Sequence, residues 1–379
     1  MAFLESLDPD VLSDDLELIL DPRLPEADRE RFRVLAAAAP ADEGAVLVPT
    51  SGTTGSSKLV VLSKRAVQDS ATSVIEHLCA GTRDVWALAL PLFHVGGLGV
   101  LVRSYLAASK LAKLEMRDGR PVWNPAAFRD LCVARKATLS ALVPTQVFDL
   151  VQAGLEAPVT LRAVVVGGGS LDPELYAKAR ALGWRVLPSY GMTETASQVA
   201  TASLRSLDSA SFELPLLEAL PHARLSTAPD GEIQVSASSL LKGYVVDESS
   251  GPRFLDPKTP EGVFRTGDFG EVSTVDGKQT LRVLGRGDDF VKVNGERVDL
   301  AALDRVLASL SGGARVAVGH RADARRGREL LLLEQDDLGE ARERLLAAFH
   351  ERVRAFERLI PAGAGSLVTT PLGKIRRKI

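Results

Sequence analysis

The chain has 379 residues, 45% of them hydrophobic and 25% charged, which are globular proportions with material for two or three domains, each with its own core. A formal charge of −3 and a pI near 6.1 argue against nucleic acid as the main partner. The two cysteines, Cys79 and Cys132, exclude a disulfide framework and a cysteine metal site, and point to a reducing, cytoplasmic compartment.

In chain order, residues 1–43 read as acidic and irregular, a cover over another part of the fold, with acid at the start where a signal peptide carries base. Residues 45–49 and 59–62 are apolar runs of strand length. Ser63 is placed to cap a helix whose apolar positions Val67, Ala71, Val74, Ile75 and Leu78 follow a helical period, stopped by Gly81. The longest apolar stretch, Val85 to Val102, is broken by Pro91, His94 and three glycines. It reads as strand, turn and helix and not as a membrane span. Leu161 to Val166 is a strand that runs into Gly167-Gly168-Gly169-Ser170, followed by a helix from Asp172 to about Leu182 and a strand from Arg185 to Leu187. Strands alternating with helices predict an α/β fold with a mostly parallel sheet flanked by helices. After about residue 225 short β-like runs at 232–235, 270–273 and 281–284 alternate with turns such as Pro229-Asp230-Gly231, predicting a small β-rich subdomain. Beyond Gly285 a smaller α+β unit follows: a helix near 299–310, strands near 314–318 and 329–334, and an amphipathic helix over about 340–358. The predicted domains are therefore 1–287 and 288–379.

Five segments carry chemistry. Thr50-Ser51-Gly52-Thr53-Thr54-Gly55-Ser56-Ser57-Lys58 places hydroxyls, two glycines and a lysine directly after a strand. Glycine lets backbone N–H groups approach a polyphosphate, and the hydroxyls and ammonium add donors. Gly52, Gly55 and Lys58 recur every third residue, so this is not a Walker loop. Ser189-Tyr190-Gly191-Met192-Thr193-Glu194 follows a strand and offers a ring for a flat base and oxygen ligands for Mg²⁺. Asp268, after a tight turn, suits the hydroxyls of a ribose. Gly285-Arg286-Gly287-Asp288 mixes charge and glycine where a hinge would lie, and Lys374 sits on a turn near the C-terminus. Singly, each segment has a plain reading as a turn, a solvated charge cluster or a basic tail. Their combination and order favour the chemical one.

In that order these segments resemble the adenylate-forming superfamily of acyl-CoA ligases, luciferases and peptide-synthetase adenylation domains, over about residues 44 to 379. Within it, residues 90–106, 142–151 and 188–201 most resemble the o-succinylbenzoate–CoA ligases of menaquinone synthesis. The resemblance implies an N-terminally shortened version of that fold, with a mobile C-terminal domain, and an AMP-forming acid–CoA ligase using ATP, Mg²⁺ and CoA. It implies that Thr50, Ser51, Gly52, Thr53, Thr54, Gly55 and Lys58 hold the phosphates. Gly167, Gly168, Gly169, Ser189, Tyr190, Gly191, Met192 and Thr193 would line the adenine and acyl pocket. Glu194 and Thr54 would hold Mg²⁺, Asp268 and Arg286 the ribose. His94 would sit at the acyl pocket, Asp288 would be the hinge, Lys374 would serve adenylation, and Lys292 would lie on the face presented for thioester formation.

The chain departs from the family in four places. Its phosphate loop ends Ser57-Lys58 where Pro-Lys is usual; Arg297-Val298-Asp299-Leu300 follows the hinge glycines in place of the usual sequence; Ala219-Leu220-Pro221-His222 stands where Pro-Leu-Pro-Gly is usual; and only about fifty residues precede the phosphate loop. The acid could also be another aryl or aliphatic one, or the acceptor a carrier protein; a catalytically weak nucleotide binder is a third reading, opposed by the presence of both Glu194 and Lys374. The expected partners are a small carboxylic acid, ATP and CoA, with no nucleic acid and no membrane insertion; a homo-oligomer stays open.

Overall fold

The computed structural model describes residues 17–40, 44–51, 57–117, 120–209, 211–287, 290–293, 296–323, 327–353, 360–364 and 367. Among the chosen site residues, Gly52, Thr53, Thr54, Gly55, Asp288 and Lys374 lie outside them, and of Ser51 and Lys292 only the backbone is described. The chain divides into two compact units, residues 1–266 with 271–282, and residues 267–270 with 283–379.

The first unit is α/β. Strands Lys110–Lys113, Val85–Leu88, Leu139–Leu142, Ala163–Val166 and Val186–Met192 lie side by side and parallel. The inner strands Val85–Leu88, Leu139–Leu142 and Ala163–Val166 are short, largely apolar and buried, as strands covered on both faces must be, while the terminal strand Lys110–Lys113 exposes both lysines. Beyond Val186–Met192 the same sheet continues through antiparallel neighbours, Ser197–Ala202 and Leu217–Ala219, to eleven strands in all. The β-like runs predicted at 232–235, 270–273 and 281–284 lie in this antiparallel extension, while Gly243–Glu248 and Gly251–Leu255 join a second sheet. Helices cover the parallel part. Lys64–His77 begins where Ser63 Oγ accepts the Ala66 N–H, as the sequence predicts. Pro125–Arg135 and Pro173–Ala181 are capped in the same way by Asn124 and Asp172.

A second, five-stranded sheet is built from Glu17–Leu18, Ala45–Ser51, Ser57–Ser63, Gly243–Glu248 and Gly251–Leu255, in that order. Its alternation sorts side chains cleanly. Leu47, Leu59, Val61 and Val245 face one core and Val46, Val48, Val60 and Leu62 face the other. Residues 26–36, expected to be irregular, form a helix instead. Phe32, Leu35 and Ala36 close it onto the first of those cores, with Glu26 and Asp28 in its first turn. The acidic composition of this stretch hides three apolar positions at helical spacing.

The second unit pairs strands Val316–Asp323, Gly327–Glu334 and Ile360–Ala364 under helices Leu300–Leu310 and Glu340–Arg352. Leu303, Leu307, Val318, Leu332, Leu345 and Phe349 form its core. The amphipathic helix ends at Arg352, short of the predicted 358; residues 354–359 lie outside the described part.

Candidate functional site

Parallel strands carry their ligands beyond their C-terminal ends, and four predicted segments lie there. Val85–Leu88 leads to His94, Leu139–Leu142 to Val143 and Pro144, Ala163–Val166 to Gly167–Gly169, and Val186–Met192 to Glu194. Gly167 packs directly on Ser189: a Cβ at 167 would lie 2.7 Å from Ser189 Oγ, which itself donates to the Val166 carbonyl. Gly168 and Gly169 sit against Val143 and Pro144. Tyr190 is buried, and Met192 is half-buried between two cores.

The turn at Glu194 is tightly determined. The buried Thr195 hydroxyl accepts the Met192 N–H at 3.1 Å and contacts the Ser197 carbonyl at 2.6 Å. Ala196 is left-handed at φ 55°, a conformation that costs a non-glycine residue about 1 kcal/mol. The Leu241 N–H binds the Glu194 carbonyl at 2.8 Å. At Gly191 only glycine fits, because a Cβ would lie 2.0 Å from the Ser197 carbonyl oxygen where the two strands bulge.

This turn presents its carboxylate to the hairpin formed by Ala45–Ser51 and Ser57–Ser63. Lys58 Nζ lies 3.4 Å from Glu194 Oε1, and the Tyr244 hydroxyl donates to the same oxygen at 2.9 Å. The Lys58 ammonium also rests 3.6 Å above the centre of the Tyr244 ring. Register explains this meeting. Lys58 pairs with Thr50 on one side and Val246 on the other, and Val60 pairs with Tyr244, so Thr50, Lys58 and Tyr244 share one face of the sheet. Beside this cluster the buried Thr50 Oγ1 has no hydrogen-bond partner among the described residues. An orphaned hydroxyl, an ammonium and a carboxylate suit a polyphosphate and one hard cation, which Mg²⁺ meets through one or two carboxylates plus phosphate oxygens. Thr50, Lys58 and Glu194 could therefore hold ATP phosphates and Mg²⁺.

His94 stands at the N-terminus of helix Val95–Leu106 without a cap hydrogen bond, its ring 4.8 Å from that of Phe93. The residue is exposed, yet the surrounding protein lowers its pKa by desolvation, against Asp21, which raises it, and with Arg120, which lowers it further. In the second unit, Arg286 Nε lies 3.8 Å from Asp268 Oδ1, so these two predicted residues are brought to each other. Neither cysteine is positioned as a nucleophile. Cys79 is exposed, and burial pushes the Cys132 thiol up to about 12.

Sequence reasoning missed Arg103. It lies on the apolar helix Val95–Leu106 and is only 1% exposed. Its side chain folds back along the helix over Gly99, where a Cβ would come within 2.9 Å of Nη2. Nη2 donates to Ser197 Oγ at 3.0 Å, Cζ lies 5.9 Å from the Trp86 ring centre, and Nε has no partner. Burial lowers its pKa to about 10. Among the described residues no carboxylate pairs with it. The available signal was an arginine in mid-helix flanked by Val102 and Ser104, where the helix period demands burial.

Residues 4–245, more than half the chain, match the family described as AMP-binding enzyme. The chain is 31% identical over 310 residues to the 2-succinylbenzoate–CoA ligase of Escherichia coli (strain K12), a match covering 80% of this chain and 62% of that protein. It is likewise 31% identical over 293 residues to a probable 2-succinylbenzoate–CoA ligase of Mycobacterium tuberculosis (strain ATCC 25618 / H37Rv), over 76% of this chain and 70% of that one. The fold superposes on the o-succinylbenzoate coenzyme A synthetase of Bacillus subtilis in complex with the acyl-adenylate intermediate OSB-AMP. There the TM-score is 0.71 at 28% identity, covering 90% of this chain and 68% of the other. The Bacillus subtilis synthetase in complex with ATP and magnesium ion gives a TM-score of 0.68 at 27% identity, over 90% and 69% of the two chains. The chain spans only 50 to 62% of the length of several curated relatives, those of Salmonella typhimurium and Escherichia coli among them. The family match, the α/β fold and the phosphate-type cluster agree: the chain belongs to the AMP-binding enzyme family.

Proposed function

We propose that this chain is an AMP-forming acid–CoA ligase that converts 2-succinylbenzoate, ATP and CoA to 2-succinylbenzoyl-CoA, AMP and diphosphate, a reaction of menaquinone synthesis. The observation that carries the reading is the meeting of Lys58 and Glu194, 136 residues apart in the chain, beside the unpartnered Thr50 hydroxyl. A carboxylate and a triphosphate repel one another, so the site must supply positive charge and a place for a cation. Lys58 binds phosphate oxygen, Thr50 donates to it, and Glu194 holds Mg²⁺. Mg²⁺, when bound, neutralises phosphate charge. The substrate carboxylate oxygen attacks the α-phosphorus and diphosphate leaves. The CoA sulfur, after losing its proton, attacks the acyl carbon of the mixed anhydride, and AMP leaves with the bonding pair. Asp268 and Arg286 are assigned to the ribose, Lys374 to adenylation and Lys292 to the thioester step on the resemblance.

Arg103 supports the identity of the acid. A buried guanidinium held by one serine hydroxyl and an indole retains most of its desolvation cost. An acid with a second carboxylate relieves that cost; benzoate and fatty acids do not. The test is acid-dependent exchange of labelled pyrophosphate into ATP. Exchange with 2-succinylbenzoate far ahead of benzoate and fatty acids is expected. No exchange with any acid refutes the ligase, and equal rates with benzoate refute the substrate.

A further inference from the structure

The geometry points to Tyr244 as a positioning residue for both charged groups of the nucleotide site, an inference that rests on the function proposed above. Tyr244 lies on strand Gly243–Glu248, outside the segments that suggested the chemistry. Its hydroxyl donates to Glu194 Oε1 at 2.9 Å while its ring face carries the Lys58 ammonium at 3.6 Å. One side chain thus touches the carboxylate through its polar tip and the cation through its π face. The contacts are independent. The first is a hydrogen bond to an ionised acceptor, the second an attraction to the ring quadrupole.

The strand cannot drift to loosen them. Gly243 is packed so closely that a Cβ there would lie 2.5 Å from the Leu255 carbonyl oxygen, and Tyr244 is in register with Val60 on one side and Leu255 on the other. Without ligand, Lys58 and Glu194 neutralise each other at 3.4 Å, a contact that must open for phosphate to reach the ammonium and metal the carboxylate. Tyr244 keeps both side chains aimed while that contact opens. The hydroxyl fixes the carboxylate oxygen nearest Lys58, and the ring limits where the ammonium moves. Removing the hydroxyl should therefore affect the metal more than the nucleotide. Removing the ring should affect both.

The experiment is calorimetric binding of ATP without any acid, in EDTA and over a Mg²⁺ titration, on the full chain. For Tyr244→Phe the Mg²⁺ concentration that half-saturates ATP binding should rise about tenfold, as expected for a lost hydrogen bond to a charged group. Affinity for metal-free ATP should change less than twofold. Tyr244→Leu should weaken metal-free ATP as well, about threefold. Glu194→Gln should abolish the effect of Tyr244→Phe, since the hydroxyl acts through that carboxylate. Tyr244→Phe keeps the ring and its packing, so it carries the test even where Tyr244→Leu does not fold. A Tyr244→Phe protein with the Mg²⁺ dependence of the parent overturns the inference. So does a tenfold loss that persists in the Glu194→Gln background. A parent chain that binds no ATP with or without Mg²⁺ overturns the function itself, a result distinguishable from the other two.

Discussion

Two cations in the first unit have been taken out of water in opposite ways. Lys58 sits near the start of a central strand, a quarter exposed, with the Glu194 carboxylate and the Tyr244 ring against it. Arg103 lies inside a helix-covered core with a serine hydroxyl and an indole. The first charge is closed by the protein's own carboxylate, so ligand binding there is an exchange of partners. The second has no carboxylate partner among the described residues, so an anion that reached it would add one. Placing a lone guanidinium in a core costs several kcal/mol unless a counter-charge arrives. Under the proposed function, Arg103 should therefore discriminate between acids, and Lys58 should couple nucleotide to metal.

The strongest way to break this contrast is Arg103→Met. We expect kcat/KM for 2-succinylbenzoate to fall about a thousandfold, on the order of 4 kcal/mol, the range for removing one partner of a desolvated charge pair. Pyrophosphate exchange with benzoate should change less than threefold. The ligand-free protein should lose no stability, because replacing a buried charge by an apolar chain of similar volume is neutral or stabilising by about 1–4 kcal/mol. Equal losses with both acids, or a lower unfolding midpoint, would mean that Arg103 serves packing alone.

A third buried group extends the comparison to a side chain that stays neutral. Among the described residues neither buried ring nitrogen of His222 has a partner, and desolvation lowers its pKa to about 4, against the opposing charge of Asp69. Its folded value lies below its unfolded one. Above pH 6.5 both states are neutral there; between 6.5 and about 4 the unfolded chain binds a proton that the folded chain refuses. Stability should therefore fall as the pH drops through that window, by up to about 3 kcal/mol and nearer 2 for a ring that keeps some exposure. His222→Asn should remove most of this slope. Urea unfolding followed by tryptophan fluorescence measures it, since Trp86, Trp123 and Trp184 all lie in the first unit. His94, also shifted down, contributes in the same direction, and the carboxylates of Asp21, Asp84 and Asp256, held below their usual range, add slope toward the acid end of the window. An unchanged slope would show that His222 is solvated.

These three groups also show what a sequence makes legible. The hairpin lysine, the Glu194 turn and the Ser63 cap announce themselves through local chemistry: hydroxyls and glycines after a strand, an acid after an aromatic, a serine before a helical period. The helix at 26–36 was hidden because charge dominates its composition. Arg103 and Tyr244 were hidden for another reason. One sits in an apolar helix and the other in a short strand, and the partner of each comes from a distant strand or turn. Arg103 meets Ser197 only because the strand after the Glu194 turn runs beside its helix, and Tyr244 meets Lys58 only because two strands far apart in the chain pair in one particular register. Local pattern cannot fix such a register; the buried faces of the completed sheet do.

The smallest and most diagnostic change is Lys58→Met. It removes the cation and leaves Glu194 with the Tyr244 hydroxyl. If the lysine and the carboxylate close each other, two affinities should move in opposite directions. Metal-free ATP should bind about thirtyfold more weakly, roughly 2 kcal/mol, because phosphate loses a charge-assisted donor. Free Mg²⁺ should bind about threefold more tightly, because the carboxylate no longer has an ammonium to release. Calorimetry with ATP in EDTA, and with MgCl₂ alone, reads the two separately. A fall in both would place Lys58 and Glu194 in separate roles, and the 3.4 Å contact between them would be incidental to binding.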